Sequence, residues 1–378
     1  GKFRVGFEGS QDYDLALRIT EVSEPEQIHH IPHILYHWRA IEGSVALNRN
    51  EKKYAHKKAN SAIKEHLVRR NIKADVLSSP SGSYHRVKYH LPKTPPKVSF
   101  IVPTRDRADL LEVCIDGILN ETNYPNSEII VINNRSSDPD ALVYLKKIDK
   151  NPKVTVLDYN KSFNYSAINN YAVEHVTGSL IVLLNNDIEV IDPEWLNEMV
   201  SHAIRKEVGA VGALLYYPDD TIQHAGVALG IGGVAGHLHV NNDRGTAGYF
   251  GRAEISQNIS AVTGACMVMR KEVFLKVGGL NSDNLSVAFN DIDLCIRIRE
   301  EGLKVIWTPY AELYHHESAS RGSDQTADKV GRFNKEIDYM KETWDEILLT
   351  DPFYNPNFSL KNGNFSLADN PRTKKPWV

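Results

Sequence analysis

Asp291, Asp293 and Arg297 stand in the run Asp291-Ile292-Asp293-Leu294-Cys295-Ile296-Arg297, and Asp12-Tyr13-Asp14-Leu15-Ala16-Leu17-Arg18 repeats the same D-x-D-L-x-x-R pattern. Each copy is followed by a Pro and then Tyr-His: Pro309 with Tyr314-His315, and Pro32 with Tyr36-His37. A carboxylate can take a proton from a hydroxyl, and a carboxylate with an imidazole can hold a hard divalent cation. The second Asp and the Arg lie four residues apart, which also suits an ion pair along one helix face; that is the plainer reading for Asp293 and Arg297. A third acid, Asp187, follows the apolar run Leu180-Ile181-Val182-Leu183-Leu184 and heads Ile188-Glu189-Val190. Its carboxylate should project at a strand end, where one or two protein carboxylates suffice for Mg²⁺ or Mn²⁺ if substrate phosphates complete the shell. A turn or cap Asp is the structural alternative, and it leaves the coincidence with Asp291 and His315 unexplained.

Strands and helices must position these groups. Val98 to Val102, Glu128 to Ile132, Val154 to Leu157 and Leu180 to Leu184 read as strands, alternating with helices at 109–119, 141–148 and 166–175. Such alternation predicts an α/β fold with a mostly parallel sheet covered on both faces, whose ligands bind at the carboxyl ends of the strands. Those ends carry Pro103-Thr104-Arg105-Asp106, Asn133 to Asp138 and Asn185-Asn186-Asp187. After Asp187 the pattern loosens into Gly- and His-rich strands and loops over 209–251, which suit a lid or substrate wall. His224, His237 and His239 are weighed there as a metal cluster and set aside for lack of Cys or Asp partners. Phe333, Ile337, Met340, Trp344 and Ile347 form a helical stripe that should pack on the core. The Ser- and Pro-rich stretches between Ser78 and Pro96 break every period and mark a boundary. The expected organisation is therefore residues 1–90 as the remnant of a preceding domain, 97–322 as a complete domain, and 323–378 as a terminal helix and tail.

The 378 residues are 42% hydrophobic and 24% charged, as in soluble globular proteins. Forty-four basic against 48 acidic side chains leave a formal charge of -4, which argues against nucleic acid as a partner. Three separated cysteines, Cys114, Cys266 and Cys295, suggest neither a disulfide framework nor a zinc site and fit a reducing, cytoplasmic setting. No run approaches the roughly 20 apolar residues of a membrane span. Between Glu51 and Arg70, Tyr54, Ala59, Ile63 and Leu67 recur at helical spacing among Lys and Arg. This basic helix either packs through its apolar stripe or rests on anionic lipid as a peripheral membrane contact.

From Lys97 to about Gly322 the chain resembles an inverting glycosyltransferase of family 2, with the GT-A fold. Phe100-Ile-Val-Pro-Thr-Arg-Asp-Arg resembles the first-strand signature whose turn, Pro103, Thr104 and Asp106, holds the nucleoside. Glu128 to Asp138 resembles the second-strand signature, where an Asp usually reads the base; Asn133 stands at that position. Asn170 resembles the family's Asn near the nucleotide, and Phe163-Asn164-Tyr165-Ser166 a feature of one subgroup. Asn185-Asn186-Asp187 replaces the D-x-D metal motif, of which only Asp187 keeps its acid. Thr263-Gly264-Ala265-Cys266 with Arg270 resembles the stretch before the acceptor site. Asn290-Asp291 stands at the Glu-Asp motif, whose Asp is the catalytic base, and Leu313 to Ser318 resembles the terminal motif whose His, here His315, joins the metal.

The resemblance implies a Mn²⁺- or Mg²⁺-dependent enzyme that moves a sugar from a nucleotide-sugar donor to a glycan or lipid-linked glycan acceptor. It also implies bacterial surface polysaccharide assembly, in the cytoplasm or at the inner face of its membrane. Asn133, Asn164, Asn170, Asn186 and Gly264 join Pro103, Thr104 and Asp106 as donor-binding residues on that reading. The loss of a nucleoside diphosphate needs positive charge beside it, which Asp187 and His315 would anchor, while Asp291 takes the acceptor's proton. Two rivals are carried: a catalytically inactive glycan- or partner-binding module, raised by the Asn residues at 133, 185 and 290, and a sugar-1-phosphate nucleotidyltransferase, which expects a Gly-rich loop that Pro103-Thr104-Arg105-Asp106 lacks.

Overall fold

In the computed structural model, which describes residues 2–39, 41, 53–316 and 327–373, the chain divides into two compact units. One holds the residues up to His90 together with those from Asn370, the other Leu91–Asp369. In the first unit α1 (Gln11–Thr20) and α2 (Lys53–Arg69) precede a hairpin of β1 (Ala74–Ser78) and β2 (His85–Tyr89). A small apolar cluster, Ile63, Leu67 and Val76 with Leu17 at its edge, holds it together. Helix α2 therefore packs through part of the stripe expected of it, and Arg69 is tied to Glu21 at 2.7 Å.

The second unit is built on a ten-stranded sheet. Its first half follows the sequence pattern: β3 (Val98–Thr104), α3 (Ala108–Asp116), β4 (Ser127–Asn133), α4 (Pro139–Ile148), β5 (Val154–Asp158), α5 (Tyr165–Val173) and β6 (Leu180–Leu184). These four strands are mutually parallel in the order β6-β3-β4-β5. Then come β7 (Ile188–Val190), α6 (Trp195–Ala203), β8 (Val208–Tyr216), β9 (Ile222–His224), β10 (Val227–Leu229), β11 (Ala235–His237), β12 (Gln257–Asn258), β13 (Cys266–Arg270), α7 (Lys271–Lys276), α8 (Asn290–Glu300), β14 (Lys304–His315) and α9 (Ala327–Leu349). Strand β13 lies antiparallel between β6 and β8, and β14 runs parallel to β8. The main strands are thus mostly parallel, with β13 reversed between the two parallel blocks and the short strands β7, β9 and β12 added antiparallel beside β8 and β14.

Both faces are buried, and the two-residue period of a strand sorts its side chains between them. Ile101 of β3, Ile181 and Leu183 of β6, and Met267 and Met269 of β13 join one core with residues of α5, α8 and α9. Phe100, Val182, Leu184, Cys266 and Val268 join the other with residues of α3, α4 and α6. Such strands read as continuous apolar runs, which is why the first half of the sheet is visible in the sequence. At the amino edge the chain comes close to itself. A Cβ on Gly178 would lie 2.7 Å from the Lys97 carbonyl oxygen, so only glycine fits beside the start of β3. The stripe on α9 packs as expected through Met340 and Trp344. The following segment, for which the sequence predicts nothing, is folded onto the unit: Tyr354 and Phe365 are buried, and Asp351 accepts from the Leu229 N–H at 2.7 Å. The expected boundary at 322/323 lies outside the described residues.

Candidate active site

The carboxyl ends of β3, β4 and β6 meet at one edge of the sheet. Thr104 is buried, and its Oγ1 accepts from Asn186 Nδ2 at 3.0 Å. Beyond it the chain turns through two left-handed residues, Asp106 and Arg107, with φ of 55° and 48°. The turn is held by hydrogen bonds: the Asp106 N–H donates to Ser136 Oγ, while its Oδ1 accepts from the N–H groups of Ser137 and Asp138 at 2.6 and 2.8 Å. These donors, Asp138 foremost, hold the Asp106 carboxyl below its usual range. Asn133, at the end of β4, donates from Nδ2 to Asp158 Oδ1 at 2.8 Å and accepts from the Ser136 N–H. This explains the amide there, because a carboxylate at 133 would bring no proton to that contact. Asp158, which the sequence did not single out, supplies the acid at this edge.

Asp187 leaves the end of β6 and His315 ends β14, and both are buried. Asp187 Oδ1 lies 3.1 Å from His315 Nε2 yet makes no hydrogen bond, which is costly for a buried anionic oxygen. Asn185 Nδ2 donates toward the same Nε2 at 3.2 Å. On the far side of the ring, Nδ1 is 2.6 Å from Gln223 Oε1. An unsatisfied carboxylate oxygen facing an imidazole nitrogen is a donor set that divalent cations such as Mn²⁺ take. Among the described residues no group of three or more His, Cys, Asp and Glu side chains is placed to hold a metal ion. The pair would need a ligand's oxygens to complete a shell.

Asp291 opens α8. Its Oδ2 accepts from the Gly264 N–H at 2.8 Å and its Oδ1 from the Ile292 N–H at 2.9 Å. Each carboxylate oxygen has two lone pairs, so capacity remains for a substrate proton. The Gly264 carbonyl in turn accepts from the buried Tyr165 hydroxyl at 2.9 Å, and the next carbonyl, Ala265, accepts from the Asn185 N–H at 2.9 Å. Two consecutive residues, Gly264 and Ala265, therefore tie Asp291 to the Asn185-Asn186-Asp187 strand end. Asn290 is turned away, donating to the Val287 carbonyl at 3.0 Å. Asp293 is an ion pair with Arg297 at 2.7 Å and also accepts from Trp344 Nε1.

Not every expected residue presents a free polar group. Asn164 caps α5, accepting from the Ala167 N–H and donating to the Ser282 carbonyl. Asn170 both donates to the Leu280 carbonyl and accepts from the Leu280 N–H. Both side chains hold the loop that leads to α8. Arg270 lies at the opposite edge of the sheet, its guanidinium donating to the carbonyls of Ala203, Arg205, Lys206 and Val208. His224 and His237 approach each other through their Nδ1 atoms at 3.3 Å, whereas His239 packs on Phe365. The three buried thiols are pushed up by desolvation and are no nucleophiles.

Residues 99–278 match the family model described as Glycosyl transferase family 2. The chain carries a family 2 glycosyltransferase domain. It is 48% identical over 370 residues to a Sinorhizobium fredii protein described as uncharacterized protein y4gI, covering 97% of this chain and 41% of that one. To the O-antigen biosynthesis protein RfbC of Myxococcus xanthus it is 39% identical over 373 residues, covering 98% of this chain and 28% of that one. The chain thus spans less than half the length of either relative. A crystal structure of GalNAc-T7 with UDP, GalNAc and Mn²⁺ aligns with a TM-score of 0.52 at 13% identity, covering 67% of this chain and 50% of that one. That likeness shows the fold, GT-A.

Proposed function

We propose that residues 97–322 form a metal-dependent inverting glycosyltransferase that moves a sugar from a nucleotide sugar onto a growing surface glycan of O-antigen type. The observation that carries the reading is the buried, unbonded Asp187 Oδ1 facing His315 Nε2, two backbone contacts away from Asp291. The nucleoside lies over Pro103, Thr104 and Asp106 with Asn133 and Asp158 at the base, and Asn186 and Gly264 line the sugar-diphosphate. Asn164 and Asn170 serve the donor indirectly, by fixing the loop before α8. Asp187 and His315 would hold a Mn²⁺ or Mg²⁺ ion, which would supply positive charge against the departing diphosphate. Asp291 takes the acceptor hydroxyl's proton as that oxygen attacks the opposite face of the anomeric carbon, which inverts the linkage. The acceptor is a glycan or lipid-linked glycan at the cytoplasmic side of the membrane.

The length of the relatives and the repeated motif support a second part of the proposal: residues 1–90 are the tail of a preceding domain of the same family, in a tandem protein. The test is release of nucleoside diphosphate from a panel of sugar nucleotides with and without Mn²⁺, with NMR of the product anomer. Metal-dependent release with an inverted product supports the reading. Binding of glycan with no turnover from any donor would favour the binding module instead.

A further inference from the structure

His315 is useful to a cation only through Nε2, and a neutral imidazole offers a lone pair there only when its hydrogen sits on Nδ1. Gln223 is placed to decide which nitrogen carries it. This residue lies in the three-residue strand β9, buried, at a point where the sequence is Gly- and His-rich and gives no functional signal. Its Oε1 lies 2.6 Å from His315 Nδ1, and an amide oxygen can only accept, so Nδ1 donates. Its Nε2 reaches the backbone carbonyl of the same residue, His315, at 3.4 Å.

The amide thus touches residue 315 at two points of opposite polarity. Turned over, it would set its oxygen against the His315 carbonyl, an acceptor facing an acceptor, so the fixed polarity of that carbonyl orients the amide with Oε1 toward Nδ1. The backbone of Gln223 is held as well, since its carbonyl is 3.1 Å from His237 Nδ1. With Nδ1 donating, Nε2 turns its lone pair to the side where Asn185 Nδ2, which donates toward it at 3.2 Å, and the unbonded Asp187 Oδ1 lie.

We infer that Gln223 is a positioning residue that locks His315 in the Nδ1–H tautomer and so presents its Nε2 to a divalent cation. This rests on the proposed metal role of Asp187 and His315. Partners behind a ligating His fix its tautomer and orientation, and their loss typically costs about 10–100-fold in metal affinity. Two substitutions separate positioning from bulk. Gln223→Glu keeps an acceptor against Nδ1 and should keep the tautomer; Gln223→Leu keeps the volume and removes the acceptor.

The experiment has two readouts. Long-range ¹⁵N–¹H correlation spectra of the full chain, with His315 assigned through His315→Gln, report the tautomer directly and need no metal. Binding of Mn²⁺ alone, followed by loss of the free-ion electron paramagnetic resonance signal, reports the consequence. The expected result is an Nδ1–H ring in the wild type and in Gln223→Glu, a mixed or Nε2–H ring in Gln223→Leu, and Mn²⁺ binding about 10–100-fold weaker in Gln223→Leu alone. An Nε2–H ring in the wild type, or an unchanged ring and unchanged Mn²⁺ affinity in Gln223→Leu, overturns the inference. An Nδ1–H ring lost in Gln223→Leu, with no Mn²⁺ taken up by the wild type even beside UDP, GDP or dTDP, upholds the tautomer lock and overturns the metal role.

Discussion

Helices α1 and α8 carry the same seven-residue pattern and show the same local geometry. In each, the first Asp accepts the next residue's N–H through Oδ1, at 2.9 Å in both Asp12 and Asp291. In each, the second Asp is buried and paired with the Arg four residues on: Asp14 with Arg18 at 3.0 Å, Asp293 with Arg297 at 2.7 Å. The copies part where long-range partners begin. Asp291 reaches Gly264 and through it the Asp187 strand end, whereas Asp12 and His37 are exposed. Ile292 and Ile298 are 5% and 0% exposed; their counterparts Tyr13 and Ile19 are 42% and 49% exposed. A short motif therefore dictates its own helix and ion pair. Whether it does chemistry depends on a sheet delivered by residues far away in the chain.

The contrast can be broken first at the base. Asp291→Asn should lower turnover about 10²–10⁴-fold while donor binding, measured by calorimetry, stays put; Asp12→Asn should leave turnover unchanged. Equal losses would mean that the first unit builds part of the active site. Next, Asp187→Ala or His315→Ala should remove the Mn²⁺-dependent part of nucleoside diphosphate binding, and His37→Ala should not. Affinity that ignores a chelator in the wild type would refute the metal role.

The shared ion pair sharpens the comparison on the stability side. Asp293→Ala should cost about 1–3 kcal/mol and lower the melting temperature of the second unit, since a charged partner and Trp344 both lose their acceptor. Asp14→Ala should loosen only α1, visible as faster amide exchange there. The smallest effect is acid. Hydrogen bonding from Arg4, opposed by burial and aided by Arg18, holds the Asp14 carboxyl below its usual range. A depressed carboxyl contributes stability that is present above its unfolded pKa of about 3.9 and is lost as pH falls below that toward the folded value. The protection factors of the α1 amides, corrected for the intrinsic exchange rate, should therefore fall below about pH 4; a fall already near pH 6 would assign the effect to a histidine.

The same division between local and distant explains what the sequence could show. Strands β3, β4 and β6 were legible because each is a β-branched or leucine run buried on both faces, and the half-exposed edge strand β5 because it is a short β-branched run; the ends of β3 and β6 named Thr104, Asp187 and Asn186 as site residues. The stretch from β9 to β12 was not, because strands of two or three residues have no period to detect. Gln223 went unmarked for that reason, although it touches His315. Asn164 and Asn170 looked like ligand-facing amides, but Asn164 Nδ2 and both polar atoms of Asn170 go to the backbone of Ser282 and Leu280, a loop more than a hundred residues away that no local pattern predicts. Asp158 was passed over because only parallel pairing places it beside Asn133.

Strand β13 runs against its neighbours, so it is the residues entering it, Gly264 and Ala265, that arrive at the edge where β6 ends. Asp187, Gly264, Asp291 and His315 are consequently gathered from four places spread over 129 positions, and the last arrives on β14, beside β8 and remote in sequence from β6. On a ribosome β3 to β6 emerge and can pair early, while Asp187, Asp291 and His315 stay apart until β14 docks. On the proposed reading, a half-made chain of this design would have the edge that takes the nucleoside and no means to spend the sugar.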